Sequence, residues 1–144
     1  SDVYKRQAYD RSLALRYDNA MVLNNYAYFL SLEGRDLERA LAMAGRAIVL
    51  EENNPTYLDT YAWVLYRLGR YDEAKKTMQQ ALSLDRSQSP DLQLHYGDIL
   101  AALGEKFMAE VYWKKALEGG YDDPDAIVER FRRLKEAAQT PAAP

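Results

Sequence analysis

Three features of this sequence predict an all-α fold, a solenoid of antiparallel helix pairs closed by a C-terminal capping helix. The first is an internal period. A shift of 35 residues superimposes Leu23 on Leu58, Tyr26 on Tyr61, Ala27 on Ala62, Leu30 on Leu65, Gly34 on Gly69 and Arg35 on Arg70. A second shift carries Tyr61, Leu65 and Gly69 to Tyr96, Leu100 and Gly104, with Gly97 in the place of Ala62, and self-similarity at such a period decides architecture before any local reading does. The second feature is spacing: Leu23, Tyr26, Ala27 and Leu30 fall at i, i+3, i+4 and i+7, one face of an α-helix. The third is the glycine after each run, which supplies the left-handed residue that ends a helix.

Taken in order, the chain opens in 1–18 with Ser12-Leu13-x-Leu15, which matches Ala47-Ile48-x-Leu50 at the same shift. This predicts the second helix of a preceding, truncated repeat over 3–16, with Ser1 to Gln7 standing outside the native pattern. The first full copy, 19–53, gives helices over 19–33 and 36–51, the latter with a stripe of Leu37, Ala40, Leu41, Ala44, Ala47 and Ile48. Its Gly34-to-Ala40 interval is one residue longer than Gly69 to Ala74, so the turn there carries an extra residue. The second copy, 54–88, gives 55–68 and 71–84, with Tyr71, Ala74, Met78, Ala81 and Leu82 on one face and Asp72 and Glu73 at the positive end of the helix dipole. The third, 89–120, gives 90–103 and 105–118, with Phe107, Ala109, Trp113, Ala116 and Leu117 as its stripe and Leu92 substituting for the bulky first-helix residue that Gln93 does not supply. Small residues at Ala27, Ala62 and Gly97 face Ala40, Ala74 and Ala109, so paired helices approach closely. Gly119-Gly120 ends the array. In 121–138, Asp123 caps a last helix over 124–138 with Pro124 in its first turn; Ile127, Phe131, Leu134 and Ala138 form its apolar stripe, and Glu129 and Arg130 to Lys135 its solvated face. The tail, 139–144, reads as disordered.

The string Leu58-x-x-Tyr61-Ala62-x-x-Leu65-x-x-x-Gly69-Arg70-Tyr71-x-x-Ala74-x-x-x-Met78-x-x-Ala81-Leu82-x-Leu84-Asp85, with its parallels around Tyr26 and Tyr96, resembles the tetratricopeptide repeat (TPR) family. The proline that often follows the second helix is replaced by Glu52 and Arg86. The texture of residues 23–30 and 57–63 is similar to the C-terminal arrays of long bacterial TPR proteins, many of them exported or envelope-associated, so the resemblance implies bacterial cytoplasm or cell envelope without choosing between them.

Composition narrows the chemistry. Among 144 residues there are 19 Lys+Arg, 22 Asp+Glu, one His and no Cys, for a formal charge of −3. Phosphate backbones and anionic membranes are thus poor partners, and thiolate zinc sites and Cys nucleophiles are absent. No apolar run is long enough to span a membrane. His95 has no cysteine or second histidine to work with and reads as a polar surface or half-buried residue. Asp122-Asp123-Pro124-Asp125 reads as a helix cap, since no calcium-loop spacing follows it. We expect no catalysis, no metal and no cofactor.

Function then rests on surface. In the family this chain resembles, recurring first-helix places line a concave groove, and here they fall on Met21, Asn24, Tyr28 and Ser31, on Thr56, Asp59, Trp63, Tyr66 and Arg67, and on Asp91, Leu94 and Asp98. Tyr28, Trp63 and Tyr66 are either groove anchors, of the type that dominates binding energy, or packing between neighbouring repeats. The three aspartates give the groove an acidic cast that favours apolar anchors with neutral or basic flanks. A TPR subclass grips the terminal carboxylate of heat-shock chaperones with Lys, Asn and Arg; at those places this chain has Asn24, Tyr28, Thr60, Asp91 and His95, without the cations. The expected function is a non-catalytic scaffold binding a peptide or helix of a protein partner. The alternative is a recruiting segment of a longer enzyme, and the truncated N-terminal face is a candidate for self-association.

Overall fold

The structure, a computed structural model, describes residues 2–15 and 18–139. Among them are eight helices and no strand: α1 (Asp2–Leu15), α2 (Ala20–Glu33), α3 (Leu37–Leu50), α4 (Pro55–Arg67), α5 (Tyr71–Leu84), α6 (Pro90–Ala102), α7 (Lys106–Glu118) and α8 (Pro124–Gln139). Two compact units contain them, residues 1–86 and 87–144. The helix limits agree with the sequence reading to within a residue or so; Arg16 and the tail beyond Gln139 lie outside the described residues. Residues 2–7, set apart in the sequence, continue α1 without a break.

Local chemistry sets the ends. Asn19 and Asn54 accept hydrogen bonds from the amides of Val22 (3.1 Å) and of Thr56 and Tyr57 (3.0 and 3.2 Å), and Asp123 accepts one from Ala126 (3.3 Å). These side chains satisfy first-turn amides that lack helical partners. Gly34, Gly69 and Gly104 have φ of 70°, 80° and 81°, and the amides that follow return to the carbonyls of Leu30, Leu65 and Leu100. The extra residue before α3 is Asp36, itself left-handed with φ 51°.

In the first unit α2 pairs with α3 and α4 with α5, α4 lies against both α2 and α3, and α1 lies on α2. One apolar cluster joins Leu13, Leu23, Tyr26, Ala27, Leu30, Ala40, Met43, Ala44, Ala47, Tyr57 and Val64. Asp10 accepts from the Tyr26 hydroxyl (3.0 Å) and from Arg39 (3.1 Å), tying α1, α2 and α3 together. In the second unit α6 pairs with α7, and α8 lies against α7 with Phe131 on Trp113; Ile127 of α8 is fully buried. Phe107 departs from its predicted place: it is 76% exposed. The 35-residue register explains this, because Phe107 aligns with Asp72 and not with Tyr71.

Candidate functional site

In the first unit the proposed groove residues lie on α2 and α4, and their environments divide them. Met21, Thr56 and Arg67 are exposed, and Tyr28 and Tyr66 are half-buried. Asn24, Ser31, Asp59 and Trp63 are buried, so the first-helix places do not all lie open. Each first helix is covered over a wider arc than one stripe, because α4 faces α2 and α3 together. Ser31 instead bonds its own helix, donating to the Tyr28 carbonyl at 2.5 Å.

Trp63 is 9% exposed, and its ring stacks on Tyr66 with centroids 4.7 Å apart and planes 10° from parallel. Tyr66 in turn tilts against Tyr71 at 5.6 Å. Stacked rings at this separation gain energy beyond their area, so Trp63 is a structural support for Tyr66 as well as a surface edge. Beside the ladder, the Arg67 guanidinium reaches back over the turn that ends α2; a Cβ at Gly34 would lie 2.9 Å from its Nη2. Among the described residues no ion pair engages Arg67.

In the second unit Asp91 is exposed, but Leu94 is 2% exposed and belongs to the core. Asp98 does not contribute a free negative charge. Its Oδ1 accepts from Arg130 Nε (2.7 Å) and from the Trp113 indole N–H (2.9 Å), and its Oδ2 accepts from Arg130 Nη2 (2.9 Å). Arg130 also donates to the Ala126 carbonyl at 2.9 Å. This fork-on-fork pairing removes Arg130 from the solvated face predicted for α8 and makes it a clasp between α6 and α8. The expected acidity of the groove therefore falls away at Asp98, and Asp59 is buried too. His95, read as a surface or half-buried residue, is buried at 8% exposure. Nothing in the sequence signals the Arg130 pairing beyond one arginine in a charged run.

Among the described residues no group of three or more His, Asp or Glu is arranged to hold a metal ion, and no helix is long and apolar enough to cross a membrane.

With this geometry in view, the relatives are informative. The family model for the tetratricopeptide repeat matches residues 55–87. A TPR repeat-containing protein of Pseudomonas aeruginosa is 30% identical over 86 residues, 60% of this chain, and the match spans 14% of that protein's length. Among solved structures, the type III secretion translocator chaperone SycD of Yersinia enterocolitica superposes with a TM-score of 0.69 at 19% identity, over 85% of this chain and 96% of that one. The first TPR of Spaghetti (RPAP3), bound to the HSP90 peptide SRMEEVD, superposes with a TM-score of 0.71 at 19% identity, over 84% and 94%. At such identities the likeness speaks for the fold. Repeat period, capped helix pairs, matched repeat model and superposed neighbours all agree: residues 55–87 match the tetratricopeptide repeat, and the chain has the tetratricopeptide-repeat fold.

Proposed function

We propose that this chain is a non-catalytic protein-interaction scaffold that holds a short segment of a partner on the α2–α4 face of its first unit. The observation that carries the reading is the Trp63–Tyr66–Tyr71 ladder beside Arg67: a half-buried aromatic surface of fixed orientation next to a cation that no ion pair engages among the described residues. Aromatic and arginine side chains of this kind anchor interfaces. Two neighbours of the same fold support it, one bound to an HSP90 peptide and one a translocator chaperone. The chaperone-tail grip does not transfer, because the clamp places hold no lysine or arginine and Asn24, Thr60 and His95 are buried.

With Asp59 and Asp98 buried, Arg67, one residue past Tyr66, supplies an exposed positive charge. The favoured segment has an apolar or aromatic anchor and a carboxylate within reach of Arg67, in place of the basic flanks the sequence suggested. Panning a displayed random-peptide library on the folded chain tests this. Enriched sequences should combine those two features, and Arg67→Glu should weaken them about tenfold, since a charge reversal at a partly exposed contact is worth roughly 1.4 kcal/mol or more. Binding that ignores both Tyr66→Ala and Arg67→Glu would remove the α2–α4 face from consideration.

A further inference from the structure

The repeat geometry of the first unit also describes a surface on α1 and α2 that no described helix covers. A shift of 35 residues carries α1 onto α3 and α2 onto α4. The surface formed by α1 and α2 is therefore the counterpart of the α3–α4 surface on which α2 itself rests. Where α2 rests, burial is complete: Ala40, Ala44 and Val64 are 0% exposed and Thr60 is 3% exposed. At the counterpart places Lys5 and Asn25 are exposed, and Tyr9 and Phe29 are half-buried. Together with Tyr28 and Leu32, these four residues line an open cavity of about 240 Å³.

We propose that this groove seats one further amphipathic helix, a partner segment with the Leu-x-x-Tyr-Ala-x-x-Leu pattern of this protein's own first helices. It lies against α1 and α2 as α2 lies against α3 and α4. Continuity with the existing interface selects this occupant. The groove extends the same helix-on-helix packing by one step, and its Tyr9, Phe29 and Leu32 offer apolar surface to a stripe of that spacing. One residue departs from the register. Lys5 stands where Ala40 permits close helix approach, and its ammonium lies 5.8 Å from the centroid of the Phe29 ring. An incoming helix has to move that side chain aside. The helix seat is separate from the ladder around Tyr66 and does not depend on the peptide reading.

The probe is a labelled peptide of residues 19–34, stapled between positions 21 and 25, two places exposed in α2, so that the nucleation cost of an isolated short helix is removed beforehand. Fluorescence anisotropy follows its titration with the full 144-residue chain, and circular dichroism verifies that each variant is folded. Binding should saturate below about 1 mM; Asn25→Arg, which places a bulky cation on the seat, should weaken it about tenfold, and Lys5→Ala should strengthen it several-fold. A peptide carrying Ala27→Phe, too large for the helix crossing, should bind about tenfold more weakly. No saturable binding, or affinities that ignore all three changes, would overturn the proposal. So would a dimer in light scattering that Asn25→Arg dissolves, because the occupant would then be a second copy of the chain.

Discussion

Among the glycines, Gly97 is the one where an added Cβ would meet its neighbours most closely, and Gly97→Ala probes that packing. Across the three copies the pair Ala27 and Ala44 becomes Ala62 and Met78, with the second helix displaced by 34 and not 35 because of the extra residue Asp36, and then, at a shift of 35, Gly97 and Trp113: the residue on the second helix grows, and in the third pair the one on the first helix shrinks. A Cβ at Gly97 would stand 2.4 Å from Trp113 Cδ1, 2.6 Å from its Nε1 and 3.2 Å from the Ala109 carbonyl oxygen. Carbon atoms pack at about 3.5 to 4.0 Å, so the indole has to retreat by roughly 1 Å. It has little freedom to do so. Trp113 is 4% exposed, its edge packs on Phe131 at 5.6 Å and 74°, and its N–H is held by Asp98 at 2.9 Å. Overpacking costs about 1 to 3 kcal/mol, and loss of a hydrogen bond to a charged group about 1.5 to 3. Against these stands a gain of about 1 kcal/mol from replacing glycine inside a helix. The net expectation is a loss of about 3 kcal/mol, or roughly 10 °C in Tm for a chain of this size. Thermal unfolding followed by circular dichroism measures it. A double-mutant cycle adds the second arm: with Trp113→Met, which restores the pairing of the second repeat, Gly97→Ala should cost nothing or stabilise. An unchanged or raised Tm for the single variant, or an equal cost in both backgrounds, would refute the steric account.

Three further outcomes follow from the same structure. Asp98→Ala strands the Arg130 guanidinium, whose side chain is 29% exposed, and should lower stability by about 3 kcal/mol in urea unfolding, the lower end for a broken buried pair; hydrogen exchange should show α8 opening first. Trp63→Ala should cost about 3 kcal/mol or more of stability, whereas Tyr66→Ala should cost about 1 kcal/mol and lose the selected peptides, a contrast that separates support from contact when both unfolding and affinity are measured. The third is a pH dependence: Glu129 is held down to about 2 by its hydrogen bonds with Arg132 and Arg133. A carboxylate depressed in the folded state stabilises above its unfolded pKa and loses that contribution as pH falls through the folded value, so the helicity of α8 should decline from about pH 4.5 toward pH 2, less steeply in high salt.

The helices and their order can be read from the amino-acid pattern alone, because those depend on neighbours a few residues away. The left-handed glycines at 34, 69 and 104, the asparagine caps at 19 and 54 and the prolines at 55 and 90 act within one turn, and their places are legible without any partner. Even the extra residue between Gly34 and Ala40 was countable, though only the structure showed it as a left-handed Asp36. Tertiary structure decided which surfaces remain available. A helical stripe gives the direction a side chain points but not the width of the arc its neighbours cover, so Asp59 and Leu94, placed on the groove, are buried and Trp63, open between groove and packing, is buried too, while Phe107, placed on the apolar stripe, is exposed. Asp98 is the sharpest case: its charge is answered by Arg130, 32 residues away on the last helix, a pairing that exists only once α6 and α8 have been brought together.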